Sequence, residues 1–164
     1  MNAYTTSLFD FKDPLIKRAI HSLKYYRRKD ILPPLATALA NEVGSVLRAN
    51  LYTLVPIPMP TMRRLLRGHN QAELIAHHLG QALKIPVDIK TLIRTRGLKR
   101  QTTTRGKRER AKNQQNSFKV LGKVEGKRFC LVDDVTTTGA TLEEARKTLL
   151  ASGALEVKAV TLAH

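Results

Sequence analysis

The spacing of apolar residues changes period several times along the chain, and each change predicts an element. Leu15, Ile16, Ala19, Ile20 and Leu23 recur at helical spacing behind Asp13-Pro14, with Lys17, Arg18 and Lys24 between and after them. A capping aspartate followed by proline suits the first turn of a helix. Ile31, Leu35, Leu39, Val43 and Val46 predict a second helix over roughly 30–49, entered through Pro33 and Pro34. Residues 51–58, Leu-Tyr-Thr-Leu-Val-Pro-Ile-Pro, read as a buried strand that its prolines stop. A loop over 59–70 follows. A helix then opens at Asn70 and runs to about Lys84, with Leu74, Ile75, His78, Leu79 and Leu83 as its apolar face. Further strands are expected over 87–94, 118–121 and 155–163, and a helix over about 140–151 with Leu142, Ala145 and Leu149 inward. Residues 1–12 read as irregular, with Phe9 and Phe11 packing as an edge.

The longest apolar run is Phe129-Cys130-Leu131-Val132, as expected of a central strand buried on both faces. Strands that alternate with helices predict an α/β fold: a mostly parallel sheet with helices on both faces, behind an N-terminal helical pair. The expected organisation is a single domain over 1–164, with an N-terminal helical part (1–50) and an α/β core (51–164).

What ends the central strand carries chemistry. Asp133 and Asp134 lead into Val135-Thr136-Thr137-Thr138-Gly139-Ala140-Thr141 and the following helix. Gly139 lets backbone approach a ligand closely, and the N–H groups of residues 138–141 make an anion site at the helix start. Threonine hydroxyls add donors. Two carboxylates cannot bind the same anion, but they accept hydrogen bonds from sugar hydroxyls beside it. The pattern suggests a ligand with both a polyol and a phosphate. The plainer alternative is a strand-to-helix turn in which Thr138 or Thr141 only caps the helix.

Charge alters the picture more than bulk composition does. The 164 residues carry 29 Lys and Arg against 13 Asp and Glu, a formal net charge of +16, which points to an anionic partner. Cations concentrate between 90 and 112, including Arg96, Lys99, Arg100, Arg105, Lys107 and Arg108, opposed only by Glu109. Gly97, Gly106 and Thr102-Thr103-Thr104 discourage rigid structure there. Such a loop can close over a polyphosphate or lie along a nucleic-acid backbone. Tyr25-Tyr26-Arg27-Arg28 reads either as a second basic patch or as an amphipathic helix end. A single cysteine, Cys130, excludes a disulfide framework and a cysteine-built zinc site. His77 and His78 are adjacent on their helix and are poor co-ligands, so they read as ordinary helix residues, whereas His69 falls in the loop. No signal peptide and no apolar run of membrane-spanning length is evident, so a cytoplasmic protein is expected.

Hydrophobic strand, acid pair and Thr-Gly-x-Thr loop resemble the phosphoribosyl-diphosphate motif of type I phosphoribosyltransferases. Three further pieces sharpen the likeness: Ile20 to Tyr25; Val55-Pro56-Ile57-Pro58 with Arg63-Arg64 and Arg67-Gly68-His69-Asn70-Gln71-Ala72-Glu73; and Gln101 with Glu109-Arg110, Asn113 and Phe118. Together they resemble the ComF/GntX family of phosphoribosyltransferase-like proteins over about residues 13–163. The likeness is to a short form without the family's cysteine-rich zinc module. His69 stands where the family usually has Phe, and the segment between Gln101 and Arg110 is one residue longer than expected. Thr137 stands where purine salvage transferases place an acid, which argues against that activity and leaves no obvious general base.

The resemblance implies that Asp133 and Asp134 hold ribose hydroxyls and that Thr136, Thr137, Thr138, Gly139, Ala140 and Thr141 hold the 5′-phosphate. Arg63, Arg64, Arg67, Arg96, Lys99, Arg100 and Arg105 would then serve the diphosphate. Mg²⁺ would be held mainly by diphosphate and ribose oxygens, with no direct protein ligand and no zinc. Two functions remain open from sequence. One is a phosphoribosyl-diphosphate-binding protein, possible as a transferase, linked to DNA uptake. The other is a non-catalytic module of the transformation machinery that holds single-stranded DNA, with competence proteins as partners. Arg96, Lys99, Arg100, Arg105, Lys107 and Arg108 are the candidate DNA contacts.

Overall fold

A computed structural model describes residues 4–25, 29–95 and 117–164. Its centre is β5 (Arg128–Val135), whose residues alternate between the two faces of the sheet. Cys130 and Val132 pack with Leu54, Val160 and Leu162 into one buried cluster, while Phe129 and Leu131 pack with Val55, Val157 and Ala159 into another. Burial on both faces explains the unbroken apolar run.

β5 pairs in parallel with β2 (Thr53–Pro56) on one side and β6 (Glu156–Ala163) on the other. β1 (Thr5–Phe9) adds a parallel edge, giving the order β1-β6-β5-β2. The mostly parallel α/β sheet expected from sequence is therefore observed. Helices α1 (Pro14–Tyr25), α2 (Leu32–Ala49) and α4 (Gln71–Leu83) contribute Ile20, Leu23, Leu39, Val43, Ile75 and Leu79 to the first cluster. Helix α5 (Ala140–Ala151) contributes Leu142, Ala145 and Leu149 to the second. Helices thus cover both faces.

Four local expectations are corrected. Residues 5–9 are a strand rather than irregular; β1 is an edge with one partner, and its Ser7 hydroxyl meets that of Thr161 at 2.7 Å. The loop expected over 59–70 contains a seven-residue helix, α3 (Thr61–Arg67). The strand expected over 87–94 does not join the main sheet. Val87 makes one parallel bridge to Leu54, after which the Asp88 carboxylate accepts from the N–H groups of Lys90 and Thr91 and turns the chain away. Only β3 (Leu92–Arg94) is extended beyond it, antiparallel to β4 (Phe118–Val120) in a separate two-stranded sheet. The inward face of α2 is also rotated from the one expected: Leu32, Ala36, Leu39, Val43 and Leu47 are buried, whereas Val46 is 42% exposed.

The direction in which successive strands are added to the sheet reverses between β2 and β5. From β2 the chain passes through α4 to Val87, outward on one side; from β5 it passes through α5 to β6, outward on the other. In parallel sheets a crevice opens outside the carboxyl ends of the strands at such a reversal, and ligands bind there.

Candidate ligand pocket at the β2–β5 reversal

A cavity of about 260 Å³ occupies that crevice. Its walls come from the end of β2 (Ile57 to Pro60), α3 (Arg63, Arg67), the start of α4 (Asn70, Gln71, Ala72), β3 (Arg94), the end of β5 (Asp133, Asp134, Val135) and α5 (Thr141). Residues separated by more than seventy positions meet because the parallel strands bring their carboxyl ends to one edge.

The acid pair is held by short local hydrogen bonds. Asp133 accepts from the N–H of Asp134 at 2.9 Å, and Asp134 accepts from the N–H of Val135 at 2.8 Å. Both side chains are half-buried and line the cavity.

A cationic wall lines the same cavity as the acids. The β2 strand runs on through Ile57, whose N–H donates to Val132 at 2.9 Å. Asn70, 3% exposed, fixes the turn that follows: its side-chain N–H donates to the Ile57 carbonyl at 3.0 Å, and its oxygen caps α4 by accepting from Ala72 at 3.2 Å. Gly68 ends α3 in the left-handed region (φ 76°), which permits the abrupt join to α4. Arg63 and Arg67 project from α3 into the cavity. Arg94 reaches it from the second sheet, with its Nε donating to the Pro58 carbonyl at 3.1 Å and its guanidinium 4.8 Å from the centre of the Phe118 ring. Burial lowers the pKa of Arg94, the Arg63 charge adds to that, and Asp133 opposes it. A guanidinium remains charged regardless, so the wall presents three cations to any ligand.

Not every sequence candidate lines the cavity. Asp133, Asp134, Thr141, Arg63 and Arg67 do. Arg64 does not: it is bound to Glu73 at 3.2 Å and its side chain is 58% exposed. Thr136, Thr137, Thr138, Gly139 and Ala140 form the connection beside the cavity. The N–H of Thr136 donates to Ala163 at 3.0 Å, Thr138 accepts weakly from Ala140 at 3.4 Å, and Gly139 is left-handed (φ 72°). Arg96, Lys99, Arg100, Arg105, Lys107 and Arg108 lie outside the described residues, as do Arg27 and Arg28. His69 bonds from Nε2 to the Leu23 carbonyl at 3.2 Å, tying this region to α1 rather than facing the cavity. Among the described residues no three His, Cys, Asp or Glu side chains cluster as metal ligands, and no helix is long and apolar enough to cross a membrane.

Arg94 and Gln71 were given no individual role by sequence reasoning, and Asn70 entered only as the end of the loop over 59–70 and, with Gln71, as part of the family-like run. Arg94 was one cation among many, and Asn70-Gln71 read as a helix start. The signal available was the position of Asn70-Gln71 straight after an arginine-rich stretch.

Comparison with known proteins agrees with this geometry. Residues 67–164 match the family model described as the phosphoribosyl transferase domain. The chain is 34% identical over 156 residues to the DNA utilization protein YhgH of Salmonella typhi, an alignment covering 93% of this chain and 68% of that protein. It is 30% identical over 157 residues to the competence protein ComFC of Bacillus subtilis, covering 95% of this chain and 62% of that one. The chain thus spans about two thirds of the length of these curated relatives. A hypoxanthine phosphoribosyltransferase from Staphylococcus aureus superposes with a TM-score of 0.52 over 81% of this chain and 62% of that one, at 10% identity, a likeness of fold alone. The reversal-point pocket, the acid pair at the end of its central strand and these matches agree: the chain belongs to the phosphoribosyl transferase domain family, in the ComF-type group that its DNA utilization and competence relatives represent.

Proposed function

We propose that this protein binds phosphoribosyl diphosphate in the β2–β5 pocket and serves in the use or uptake of DNA, as the names of its relatives suggest for them. The observation that carries the ligand reading is that one cavity is lined by both an acid pair and three arginines. Asp133 and Asp134 would accept hydrogen bonds from the ribose hydroxyls. Thr141, with the connection over 136–140, would take the 5′-phosphate at the start of α5. Arg63, Arg67 and Arg94 would neutralise the diphosphate, and guanidinium groups match phosphate oxygens in pairs.

Mg²⁺ fits this donor set. Among the described residues the cavity offers two carboxylates and no third metal ligand, which suits a hydrated ion held chiefly by diphosphate and ribose oxygens, and the ion would supply further charge neutralisation on the diphosphate. Within the cavity the described side chains offer charge and hydrogen bonds. Besides the acid pair, none is a group able to accept a proton at neutral pH. The reading is therefore a binding site first, in a cytoplasmic protein. Calorimetry with phosphoribosyl diphosphate, with and without Mg²⁺, tests it, and absence of binding under both conditions rejects it.

A second reading, contact with single-stranded DNA, is favoured by the net charge of +16, far more than one small ligand requires. Lys17 and Arg18, two of those cations, line an open depression on α1 beside His21 and Ser22. Binding of this kind would ignore base sequence and weaken steeply with salt as counterions are released. Fluorescence anisotropy with a labelled single strand across a salt series tests it, and no binding at low salt rejects it.

A further inference from the structure

The Gln71 side chain is almost fully enclosed, 1% exposed, yet it lines the ligand cavity at the first position of α4. Its orientation is set by its neighbour. Arg67 donates from Nη1 to the Gln71 Oε1 at 3.5 Å, and a guanidinium can only donate, so the amide nitrogen must face the other way. That nitrogen, Nε2, is buried and has no hydrogen-bond partner among the described residues. Buried donors are nearly always satisfied, so an orphaned one beside a cavity calls for an acceptor from outside the chain.

Resting on the ligand reading above, we infer that Gln71 is a specificity-determining residue: its amide N–H donates to a diphosphate oxygen and distinguishes diphosphate-bearing ligands from a ribose monophosphate. Three features select a diphosphate oxygen over a sugar hydroxyl as the partner. Gln71 is hydrogen-bonded to Arg67, one of the three cavity guanidiniums. Its unpartnered amide N–H groups can only donate, and phosphate oxygens only accept. Being neutral, it adds a directed hydrogen bond where a further cation would repel Arg63 and Arg67. The Arg67 contact polarises the amide and strengthens it as a donor. Asn70 next to it is spent on Ile57 and Ala72, so the two adjacent amides divide their work: one builds the pocket and the other reads its contents.

The test compares phosphoribosyl diphosphate, inorganic diphosphate and ribose 5-phosphate by calorimetry on the full chain, with Gln71→Met and Gln71→Glu. Methionine keeps the volume without donors; glutamate keeps the shape but presents only acceptors. Both variants should lose about tenfold or more in affinity for the two diphosphate ligands. Ribose 5-phosphate should change by less than about threefold. In the wild-type protein, nitrogen-labelled at glutamine, inorganic diphosphate should shift one side-chain amide resonance that ribose 5-phosphate leaves in place. This readout stands even if a variant fails to fold. Wild-type binding with unchanged affinity in the folded variants overturns the inference alone, as does an equal loss for ribose 5-phosphate or an unmoved amide resonance. Failure of the wild type to bind any of the three overturns the ligand reading with it.

Discussion

Arg94 donates from Nε to the carbonyl of Pro58, 36 residues away, at 3.1 Å, and so joins the small β3–β4 sheet to the end of β2. The same guanidinium lies over the Phe118 ring on β4. One side chain therefore sets the position of the second sheet beside the pocket and contributes to the pocket's positive charge.

Substituting Arg94 should expose both roles. Arg94→Ala removes a charge-assisted hydrogen bond and should destabilise the fold by roughly 1–3 kcal/mol. It should also weaken phosphoribosyl-diphosphate binding. Arg94→Lys keeps the charge but loses the planar fork and the stacking, so it should restore less than half of the lost stability. Urea denaturation and calorimetry on the same variants check this; full recovery by lysine would show that charge alone matters.

Asn70 is the other structural tie of the pocket. Asn70→Ala removes the α4 cap and leaves the Ile57 carbonyl without its donor, at a cost of about 1–3 kcal/mol. Asn70→Asp retains the capping oxygen but places a charge at a site 3% exposed, and should be more destabilising than alanine at neutral pH. Urea midpoints of the two variants decide the order.

Much of this arrangement was legible in the sequence, for physical reasons that differ between elements. β5 could be read because burial on both faces forces a continuous apolar run, and its acid pair stands at the strand's end. β1 could not, because an edge strand with one partner tolerates Thr-Thr-Ser and shows no hydrophobic signature. α3 was missed because its apolar residues, Met62, Leu65 and Leu66, are all exposed and leave no buried face to detect. The β3–β4 pairing was hidden because its partners are joined through tertiary contact rather than a tight turn. For the site, residue types announced the acids and the arginines of α3, but Arg94 and Gln71 acquire their roles only from where the fold carries them.

Asp88 provides a pH test of the turn that directs the chain out of the main sheet. Burial raises its pKa, but hydrogen bonds from the Thr91 hydroxyl and the N–H groups of Lys90 and Thr91, with the Lys127 charge, outweigh this and leave it below the ordinary value of 3.8. A depressed carboxylate stabilises the fold above its unfolded pKa and loses that contribution as pH falls through the folded value. The stability difference between wild type and Asp88→Asn should therefore stay constant between about pH 5 and 7 and shrink below about pH 4. Denaturation across pH checks it; a gap that widens in acid contradicts it.

Cys130, the chain's one cysteine, is buried in β5, and burial pushes its thiol up to about 12, against a small opposing effect of Lys158. A disulfide reagent should leave the native protein unmodified at neutral pH and react fully in denaturant. Rapid native labelling would show that the centre of the sheet opens.

The most direct test of the ligand site is calorimetric titration of phosphoribosyl diphosphate, with Mg²⁺, into wild type and the Asp133→Asn, Asp134→Asn double variant. Each lost charge-assisted hydrogen bond should weaken binding by roughly 1.5–3 kcal/mol, with the fold intact by thermal denaturation. A folded double variant that binds with wild-type affinity would remove the acid pair from the site and contradict the assignment of this pocket to a phosphorylated ribose.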